Sequence, residues 1–255
     1  MESFNLDKSG KHYMIDKKLI KYIVDEAMLL PNDVVLEIGC GHGELTREIA
    51  KKCKVITVDI EDNNVRGKNI IFLKSNILDV FLSLFEKYGF NKIIGNIPYN
   101  ISEPLMRLIF KVNVETVLLT VGENFSKILV SKNNRISIIA NELYNIEVLN
   151  IISPKAFNPM PRVNSALISI EQKDIDSIDK ISLIYKELVL LDNKKLRNAV
   201  IKIMKGTKKE IKNKINSVVN TNIYRKIFDK KLYQLSNEEF ILFDKILRKI
   251  IQPEV

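Results

Sequence analysis

Short apolar segments alternate with segments of helical spacing through the first half of the chain, and this alternation constrains the fold most strongly. Apolar runs of strand length are typical of strands buried on both faces, and strands that alternate with helices form parallel sheets. The sequence therefore predicts an α/β fold with a doubly wound, mostly parallel sheet. The predicted strands are 33–39, 54–60, 69–73, 91–97 and 115–121, and the predicted helices are 17–29, 44–52, 80–88 and 102–110, the last capped by Ser102.

Helical spacing replaces the alternation after about residue 172. The segments 181–191, 196–204 and 237–251 are predicted to be helices, and a polar, charged stretch at 171–179 marks the change. We therefore predict two domains, residues 1–172 and a small helical domain at 173–255.

The net charge of +9 is concentrated in the second predicted domain. Residues 1–172 carry 21 basic and 20 acidic side chains, whereas residues 173–255 carry 19 basic and 11 acidic ones. A basic domain beside a neutral one suggests a polyanionic partner, because phosphates release counterions when they are neutralised. A solvated, lysine-rich surface without a nucleic-acid partner explains the charge equally well.

Several classes of protein do not fit this sequence. No apolar run reaches the roughly 18 residues needed to cross a bilayer, and the first residues lack the apolar core of a signal peptide. Cys40 and Cys53 lack the spacing of a metal site, and the chain has 2 histidines, so we expect no metal. We expect a reduced, cytoplasmic setting and no membrane partner.

A glycine-rich loop follows the first predicted strand. Gly39, Gly41 and Gly43 let the backbone turn tightly and approach a ligand, and the next helix offers free N–H groups at its start. The G-x-G-x-G spacing differs from the G-x-G-x-x-G pyrophosphate pattern. With Glu37 at the strand end, the loop suits the aminoacyl and ribose parts of S-adenosylmethionine better. A nicotinamide dinucleotide remains an alternative ligand.

Polar side chains also follow the next two strands. Asp59 ends the second strand, where a carboxylate can accept hydrogen bonds from ribose hydroxyls, and Asn76 follows the third strand, where an adenine contact would lie. Each residue alone could simply cap a turn. Because the carboxyl ends of parallel strands meet at one crevice, the three strand ends together favour a ligand that contains a nucleoside.

The fourth strand runs into Asn96-Ile97-Pro98-Tyr99, which has the [N/D/S]-[I/L/P]-P-[Y/F] form of methyltransferases that act on exocyclic amines. The lone pair of an adenine N6 is delocalised into the ring, so this nitrogen is a poor nucleophile. The side-chain carbonyl of Asn96 and a nearby backbone carbonyl can accept the two amino hydrogens and so localise the lone pair. Pro98 fixes the loop without losing a sheet hydrogen bond, and Tyr99 can stack on a flipped base. The alternative is an Asn-Pro turn beside a core tyrosine.

Further segments carry a resemblance that runs almost from end to end. "SGKHYMID" (9–16) is similar to G-Q-[NH]-F-L-x-D, "NIPYNIS" to N-[LI]-P-Y-[NQ]-I-S, "FNPMPRVNSALI" (157–168) to F-x-P-x-P-K-V-[DN]-S-A, and "NKKLRNAV" (193–200) to R-R-K-x-L-R-N-A. The last two patterns are not general to methyltransferases. The chain thus resembles the small-subunit rRNA adenine N6,N6-dimethyltransferases, a family that includes the erythromycin-resistance methylases.

The resemblance implies a class I methyltransferase with a Rossmann-like sheet and S-adenosyl-L-methionine as methyl donor. The implied reaction is N6,N6-dimethylation of two adjacent adenosines near the 3′ end of small-subunit rRNA, by a monomer acting on an assembling 30S-type particle in small-subunit biogenesis. Asn96, Pro98 and Tyr99 would be catalytic. The expected donor-binding residues are His12, Met14, Glu37, Gly39, Gly41, Asp59, Asn76 and Asn96.

The chain departs from the family pattern at two places near the expected site. Asn76 replaces an aspartate that contacts the adenine, although its carbonyl could still accept a hydrogen bond from the donor's amino group. "GENFS" (122–126) replaces Q-K-E-[FV]-A, which removes a basic residue near the entrance for the target base. Neither departure touches Asn96-Ile97-Pro98-Tyr99.

Four basic residues are candidates for contact with rRNA phosphates. Arg197 lies on a predicted helix with apolar neighbours, so a structural ion pair explains it equally well. The candidates are Arg162, Lys194, Lys195 and Arg197.

Three other functions compete with this interpretation. A ribosome-assembly or nucleic-acid-binding factor could keep the fold without catalysis, although the intact Asn96–Tyr99 motif argues against it. A large-subunit rRNA adenine methylase of the erythromycin-resistance type is the nearest enzymatic alternative, and Asn164 favours it slightly. A DNA adenine methylase shares the Asn-Pro-Tyr logic but lacks support from residues 157–168.

Overall fold

The computed structural model of the chain describes residues 11–173, 179–204, 208–218 and 222–251. Residues 9–10 of the first family motif and 174–178 of the polar stretch therefore lie outside the described residues. The strands are β1 Tyr13–Met14, β2 Val34–Ile38, β3 Lys54–Asp59, β4 Ile70–Lys74, β5 Lys92–Asn96, β6 Thr116–Gly122, β7 Tyr144–Ile152, β8 Phe157–Asn158 and β9 Ser165–Gln172. The helices are α1 Lys17–Glu26, α2 Glu44–Ala50, α3 Ile77–Tyr88, α4 Ser102–Ile109, α5 Glu123–Val130, α6 Arg135–Leu143, α7 Lys180–Leu190, α8 Leu196–Ile203, α9 Lys208–Val218, α10 Asn222–Phe228 and α11 Asn237–Ile251.

Seven of the described strands form one sheet in the order β4-β3-β2-β5-β6-β9-β7. β4, β3, β2, β5 and β6 pair in parallel, and β9 runs antiparallel to β6. The predicted α/β fold with a doubly wound, mostly parallel sheet is confirmed, and the described parts of the chain after residue 172 are helical, as expected. Among the described helices, none combines the length and the apolar character that crossing a bilayer requires.

The strand order reverses between β2 and β5. From β2 the chain continues outward through β3 and β4, then returns to β5 on the other side of β2 and continues through β6. The loops after β2 and β5 therefore lie side by side at the carboxyl edge of the sheet. This topological switch point is where open α/β sheets bind their ligands.

The five predicted strands and the helices between them occur within a few residues of their predicted bounds. Ser102 is not the cap of α4, and that prediction was wrong. A single 3-10 turn, Tyr99–Ile101, leads directly into the helix, so Ser102 is already its first residue and Ile101 takes the cap position without a side-chain hydrogen bond. Conversely, α3 begins earlier than predicted because Asn76 caps it, accepting a hydrogen bond from the Leu78 N–H at 3.1 Å.

The chain divides into two compact units. One contains residues 1–130 and 145–172, and the other contains residues 131–144 and 173–255. Residues 131–144, which the sequence-based division assigns to the first domain, thus group with the C-terminal helices. In the second unit the rings of Phe228, Phe240 and Phe243 are buried, and the Tyr185 hydroxyl donates to Asp244 at 2.7 Å. The functional assignment of the two parts remains a prediction.

A buried ion pair joins the start of β5 to the turn before β2. Lys92 Nζ lies 3.0 Å from Asp33 Oδ2 and also donates to the carbonyls of Ala27 at 3.0 Å and Met28 at 2.9 Å. Asn91 donates to the other Asp33 oxygen at 2.8 Å. Burial by itself raises the pKa of the Asp33 carboxyl, but hydrogen bonds from Asn91, the Leu30 N–H and Lys92 outweigh it and lower the pKa. The pair is therefore fully hydrogen-bonded at the amino end of the central strands.

We expect Lys92→Met to destabilise the fold by about 3–5 kcal/mol, because it leaves the buried Asp33 carboxylate without its cation. The free energy of unfolding in urea at pH 7 is the measurement. Lys51→Met is the matched control, since Lys51 pairs with Glu48 while 65% of its side chain is exposed, and it should change stability by less than about 0.5 kcal/mol. Equal stability of the two variants would contradict a stabilising role for the buried pair.

Candidate active site

A cavity of about 270 Å³ lies at the carboxyl ends of β2, β3, β4 and β5. It brings together nine of the residues that the sequence predicts for the site. Glu37 does not line it, and neither do the four candidate phosphate contacts: Arg162 is exposed in the first unit, and Lys194, Lys195 and Arg197 belong to the second. The predicted residues that line the cavity are His12, Met14, Gly39, Gly41, Asp59, Asn76, Asn96, Pro98 and Tyr99.

The glycine loop is held close to two neighbours. Gly41 has a φ of 50°, and a Cβ added there would lie 2.8 Å from the ring of Tyr13. A Cβ on Gly39, whose φ is 77°, would lie 3.4 Å from the Asn96 carbonyl oxygen. Any side chain at Gly41 would therefore displace the N-terminal segment, which explains why the loop needs glycine there.

Asp59 is fixed by the backbone that surrounds it. Its Oδ2 accepts from the Gly41 N–H at 3.2 Å and its Oδ1 from the Glu61 N–H at 3.0 Å. The Cys40 thiol also points to Oδ2, at 3.7 Å, and burial together with Asp59 raises the pKa of this thiol to about 11. Because Oδ1 has a second lone pair and the thiol contact of Oδ2 is long, Asp59 can still accept hydrogen bonds from hydroxyls in the cavity.

Asn76 uses its side-chain carbonyl within the fold. The same oxygen that caps α3 is the one that the sequence analysis assigned to the donor's adenine. The amide NH₂ of Asn76 has no partner among the described residues and belongs to an exposed side chain at the cavity wall. A neutral asparagine here therefore offers a ligand fewer free acceptors than an aspartate would.

Several polar groups of the Asn96–Tyr99 loop are hydrogen-bonded within the fold where the loop leaves β5. Asn96 Nδ2 donates to the His12 carbonyl at 2.7 Å, and the Ile97 N–H donates to the Thr120 carbonyl at 3.2 Å. The Tyr99 hydroxyl lies 2.7 Å from Ser165 Oγ, and a Cβ on Gly122 would lie 3.2 Å from the Tyr99 ring. Burial raises the pKa of Tyr99, against the effect of the Ser165 hydrogen bond, so the hydroxyl stays protonated at neutral pH.

The N-terminal segment, residues 11–14, crosses the cavity wall. Lys11 forms an ion pair with Glu61 at 2.5 Å, and the Tyr13 ring packs against His42 with a centroid distance of 4.4 Å. Tyr13 and Met14 form β1, which pairs antiparallel with β8. This segment thus connects the glycine loop to a part of the chain that follows it by more than a hundred residues.

Glu37 lies beneath the glycine loop and is fully buried. Its Oε2 accepts from the Thr46 hydroxyl of α2 at 2.6 Å, and its Oε1 has no hydrogen-bond partner in the part of the chain that the structure describes. Burial raises the pKa of Glu37 to about 7, against the opposing effect of the Thr46 hydrogen bond. The carboxyl therefore joins β2 to α2, the strand and the helix that flank the glycine loop.

Sequence reasoning missed several residues of this site. Ser165 gave a signal only through its place in the segment 157–168, which does not say which side chain it contacts. Tyr13 and His42 likewise stood out only through their places in the segment 9–16 and the glycine loop, and Glu61 gave no signal, because their roles come from contacts between distant parts of the chain.

The chain matches a sequence model of the family described as ribosomal RNA adenine dimethylase over residues 3–238. A relative from Methanococcus aeolicus, named "Probable ribosomal RNA small subunit methyltransferase A", is 29% identical over 266 residues, which cover 96% of this chain and 97% of the relative. A relative of the same name from Methanopyrus kandleri is 30% identical over 75% of this chain and 74% of its own length.

Two solved structures share the fold. A dimethyladenosine transferase from Plasmodium falciparum superposes with a TM-score of 0.61 at 19% identity and covers 92% of this chain and 98% of its own. The 23S rRNA methyltransferase ErmE superposes with a TM-score of 0.56 at 17% identity and covers 92% and 99% of the two chains.

We expect Glu37→Gln to remove a pH-dependent cost of folding. The Glu37 pKa of about 7 lies above its ordinary value of 4.5, so the folded chain keeps a proton that the unfolded chain has released, and wild type loses stability as the pH rises through this range. Relative to wild type, the variant should gain on the order of 3 kcal/mol between pH 4.5 and pH 8. Urea unfolding of both proteins at each pH is the measurement, and a difference that stays constant across pH would contradict the prediction.

Proposed function

The chain belongs to the ribosomal RNA adenine dimethylase family, and we propose that it dimethylates N6 of two adjacent adenosines near the 3′ end of small-subunit rRNA. Membership of this family makes it an rRNA adenine dimethyltransferase that depends on S-adenosylmethionine. The observation that carries the proposal is the Asn96–Tyr99 loop, which lines the same cavity as the ribose-binding candidate Asp59.

The residues of the cavity fit this methyl donor. Asp59 would accept hydrogen bonds from the ribose hydroxyls, and the backbone at Gly39 and Gly41, which lines the cavity, would lie against the donor. His12, Met14 and Asn76 would complete the wall, and Glu37 would contribute by supporting the loop. S-adenosylmethionine supplies a methyl group on a positively charged sulfur, which an amine can attack.

The chain's own part in the reaction is to prepare the amine. Asn96 Oδ1 would accept one hydrogen of the adenine amino group and a backbone carbonyl of the loop would accept the other, which localises the nitrogen lone pair toward the methyl group. The Tyr99 ring would stack on the flipped base, a contact worth about 1–3 kcal/mol. Orientation of the two reactants supplies much of the remaining acceleration.

Recognition of the RNA is assigned to basic residues outside the cavity. Arg162, Lys194, Lys195 and Arg197 would contact phosphates, and the basic helical unit would contact rRNA in an assembling 30S-type particle. Arg197 also donates to Asn216 at 3.1 Å, so part of its hydrogen-bonding capacity is already used within the unit. Action as a monomer in the cytoplasm completes the proposal.

The proposal is tested by transfer of labelled methyl groups from S-adenosylmethionine to unmodified small-subunit particles. We expect N6,N6-dimethyladenosine from wild type and a loss of about 100- to 1000-fold with Asn96→Ala, since one preorganised polar contact to the reacting group is removed. Asn150→Ala, an exposed asparagine on β7 outside the cavity, is the control. Particles that bind the protein without being methylated would favour a non-catalytic assembly factor. A parallel reaction receives unmodified large-subunit rRNA, and label that appears only there would favour the erythromycin-resistance reaction.

We expect Asn76→Asp to tighten the binding of S-adenosylmethionine about tenfold. The carboxylate caps α3 as the amide does, and its second oxygen becomes an additional, charged acceptor for the adenine amino group. The dissociation constant from titration calorimetry is the measurement. Asn134→Asp makes the same change at the cap of α6, outside the cavity, and should leave binding unchanged. Unchanged or weaker binding to Asn76→Asp would show that this position does not face the adenine.

A further inference from the structure

The segment 157–165, which we call the anchor segment, is linked to the Asn96–Tyr99 loop by two routes, one through His12 and one direct. It does not line the cavity, so donor binding does not explain it. One route runs from Pro159 through His12 to Asn96, and the other runs from Ser165 to Tyr99. The two routes end on the two side chains to which the proposed reaction assigns contact with the target base.

The first route fixes which atom of the Asn96 amide is available. His12 Nδ1 lies 2.8 Å from the Pro159 carbonyl, and because a carbonyl only accepts, the imidazole nitrogen must donate. The His12 carbonyl in turn accepts from Asn96 Nδ2 at 2.7 Å. A rotated amide would place Oδ1 against the His12 carbonyl, oxygen against oxygen. The NH₂ group is thereby held at His12, and Oδ1 remains as the acceptor.

The backbone next to His12 is also held by the anchor segment. Tyr13 pairs with Asn158 and Met14 with Phe157 in the short β1–β8 ladder. The position of the His12 carbonyl therefore depends on both the ladder and the imidazole hydrogen bond. Loss of the imidazole contact would free the residue at the end of the ladder.

The second route fixes the Tyr99 ring. Ser165 is fully buried and pairs with Gly122 in the β6–β9 ladder, and the Tyr99 ring lies on Gly122. The hydrogen bond of 2.7 Å between the Tyr99 hydroxyl and Ser165 Oγ then sets the tilt of the ring. The segment is itself anchored at Asn164, which accepts from the Glu123 N–H at 3.1 Å and donates to the Glu123 carboxylate at 3.0 Å.

We propose that His12 and Ser165 are positioning residues for methyl transfer. His12 holds the side-chain carbonyl of Asn96 toward the target amine, and Ser165 holds the Tyr99 ring toward the base. The inference rests on the proposed function. It gives His12 a role in the rate of transfer that is separate from its place in the wall of the donor cavity. It also assigns a task to the segment 157–168 of the family pattern.

A series of substitutions at His12 tests the first route. The amide nitrogen of asparagine lies as far from the backbone as Nδ1 of histidine, whereas that of glutamine lies one bond further. His12→Asn should therefore keep the contact to Pro159 and transfer methyl groups within about threefold of wild type. His12→Gln and His12→Leu should be slower by about 10- to 100-fold, because small misplacements in an active site have effects of that size.

The readout is the single-turnover rate on small-subunit particles at saturating S-adenosylmethionine, with the donor's dissociation constant measured separately. We expect donor affinity to stay within about threefold across the series. Equal rates for all three variants would overturn the role of the imidazole hydrogen bond. Rates that follow donor affinity instead would assign His12 to donor binding alone.

A double-mutant cycle tests the second route. Ser165→Ala and Tyr99→Phe each remove one partner of the same hydrogen bond, so each should slow transfer about five- to tenfold and the double variant should be no slower than either. Ser169→Ala removes another buried hydroxyl of β9, one that is directed to Glu171, and should leave the rate unchanged. Effects of Ser165→Ala and Tyr99→Phe that multiply in the double variant would overturn this route.

Failure of the inference is distinguishable from failure of the proposed function. A wild-type protein that transfers no methyl group to rRNA adenosines would end the proposed function itself. If wild type is active and the His12→Leu and Ser165→Ala variants both react at the wild-type rate, the inference fails and the proposed function stands.

Discussion

The register of β2 against β5 determines where every other part of the site lies. Ile38 pairs with Gly95 as the last parallel pair of these strands, so the glycine loop and the Asn96–Tyr99 loop start at the same level of the sheet. A Cβ at Gly95 would lie 2.8 Å from the Ile38 carbonyl oxygen, which is why the strand can approach so closely only with glycine there. The loop to which the proposed function assigns the nucleoside and the loop to which it assigns the amine therefore start from neighbouring strands.

Polar side chains at this edge divide their hydrogen-bonding capacity between the fold and the cavity. Asp59 uses one lone pair of each oxygen on backbone N–H groups, and Asn96 uses its NH₂ on the His12 carbonyl. The hydrogen bonds that each side chain makes within the fold fix its orientation, and the orientation determines which of its donors and acceptors face the cavity. Asn76 has less acceptor capacity left for a ligand, because its side-chain carbonyl caps α3 and an amide has no second oxygen.

The parallel strands of the central sheet were predictable from sequence because segments such as 35–38 and 55–58 are buried on both faces and are apolar apart from Glu37 and Thr57. β7 was not predicted, and its alternation of exposed and half-buried residues around Asn145 and Glu147 explains why. Of the two acidic residues predicted for the site, Asp59 lines the cavity and Glu37 does not. Glu37 faces Thr46 of the neighbouring helix, and linear spacing does not reveal to which side of a buried strand a residue points. His12 contacts Pro159, 147 positions away, and Ser165 contacts Tyr99, 66 positions away. No local sequence pattern encodes contacts over such separations.

Orientation is the part of a methyl transfer that the protein itself must supply, because neither reacting atom belongs to it. The groups that provide it here are an amide, a phenol, a hydroxyl, an imidazole and backbone carbonyls. A hydrogen bond between such groups contributes about 1 kcal/mol net, so one contact alone leaves the misplaced arrangement substantially populated. Several contacts converge on the Asn96–Tyr99 loop from β6, the N-terminal segment and the anchor segment, and in the proposed mechanism they together favour the reactive arrangement. A sheet of the same topology without those contacts would keep its cavity for a methyl donor, yet it would hold no amine acceptor in place, and for this reason the fold alone does not specify the reaction.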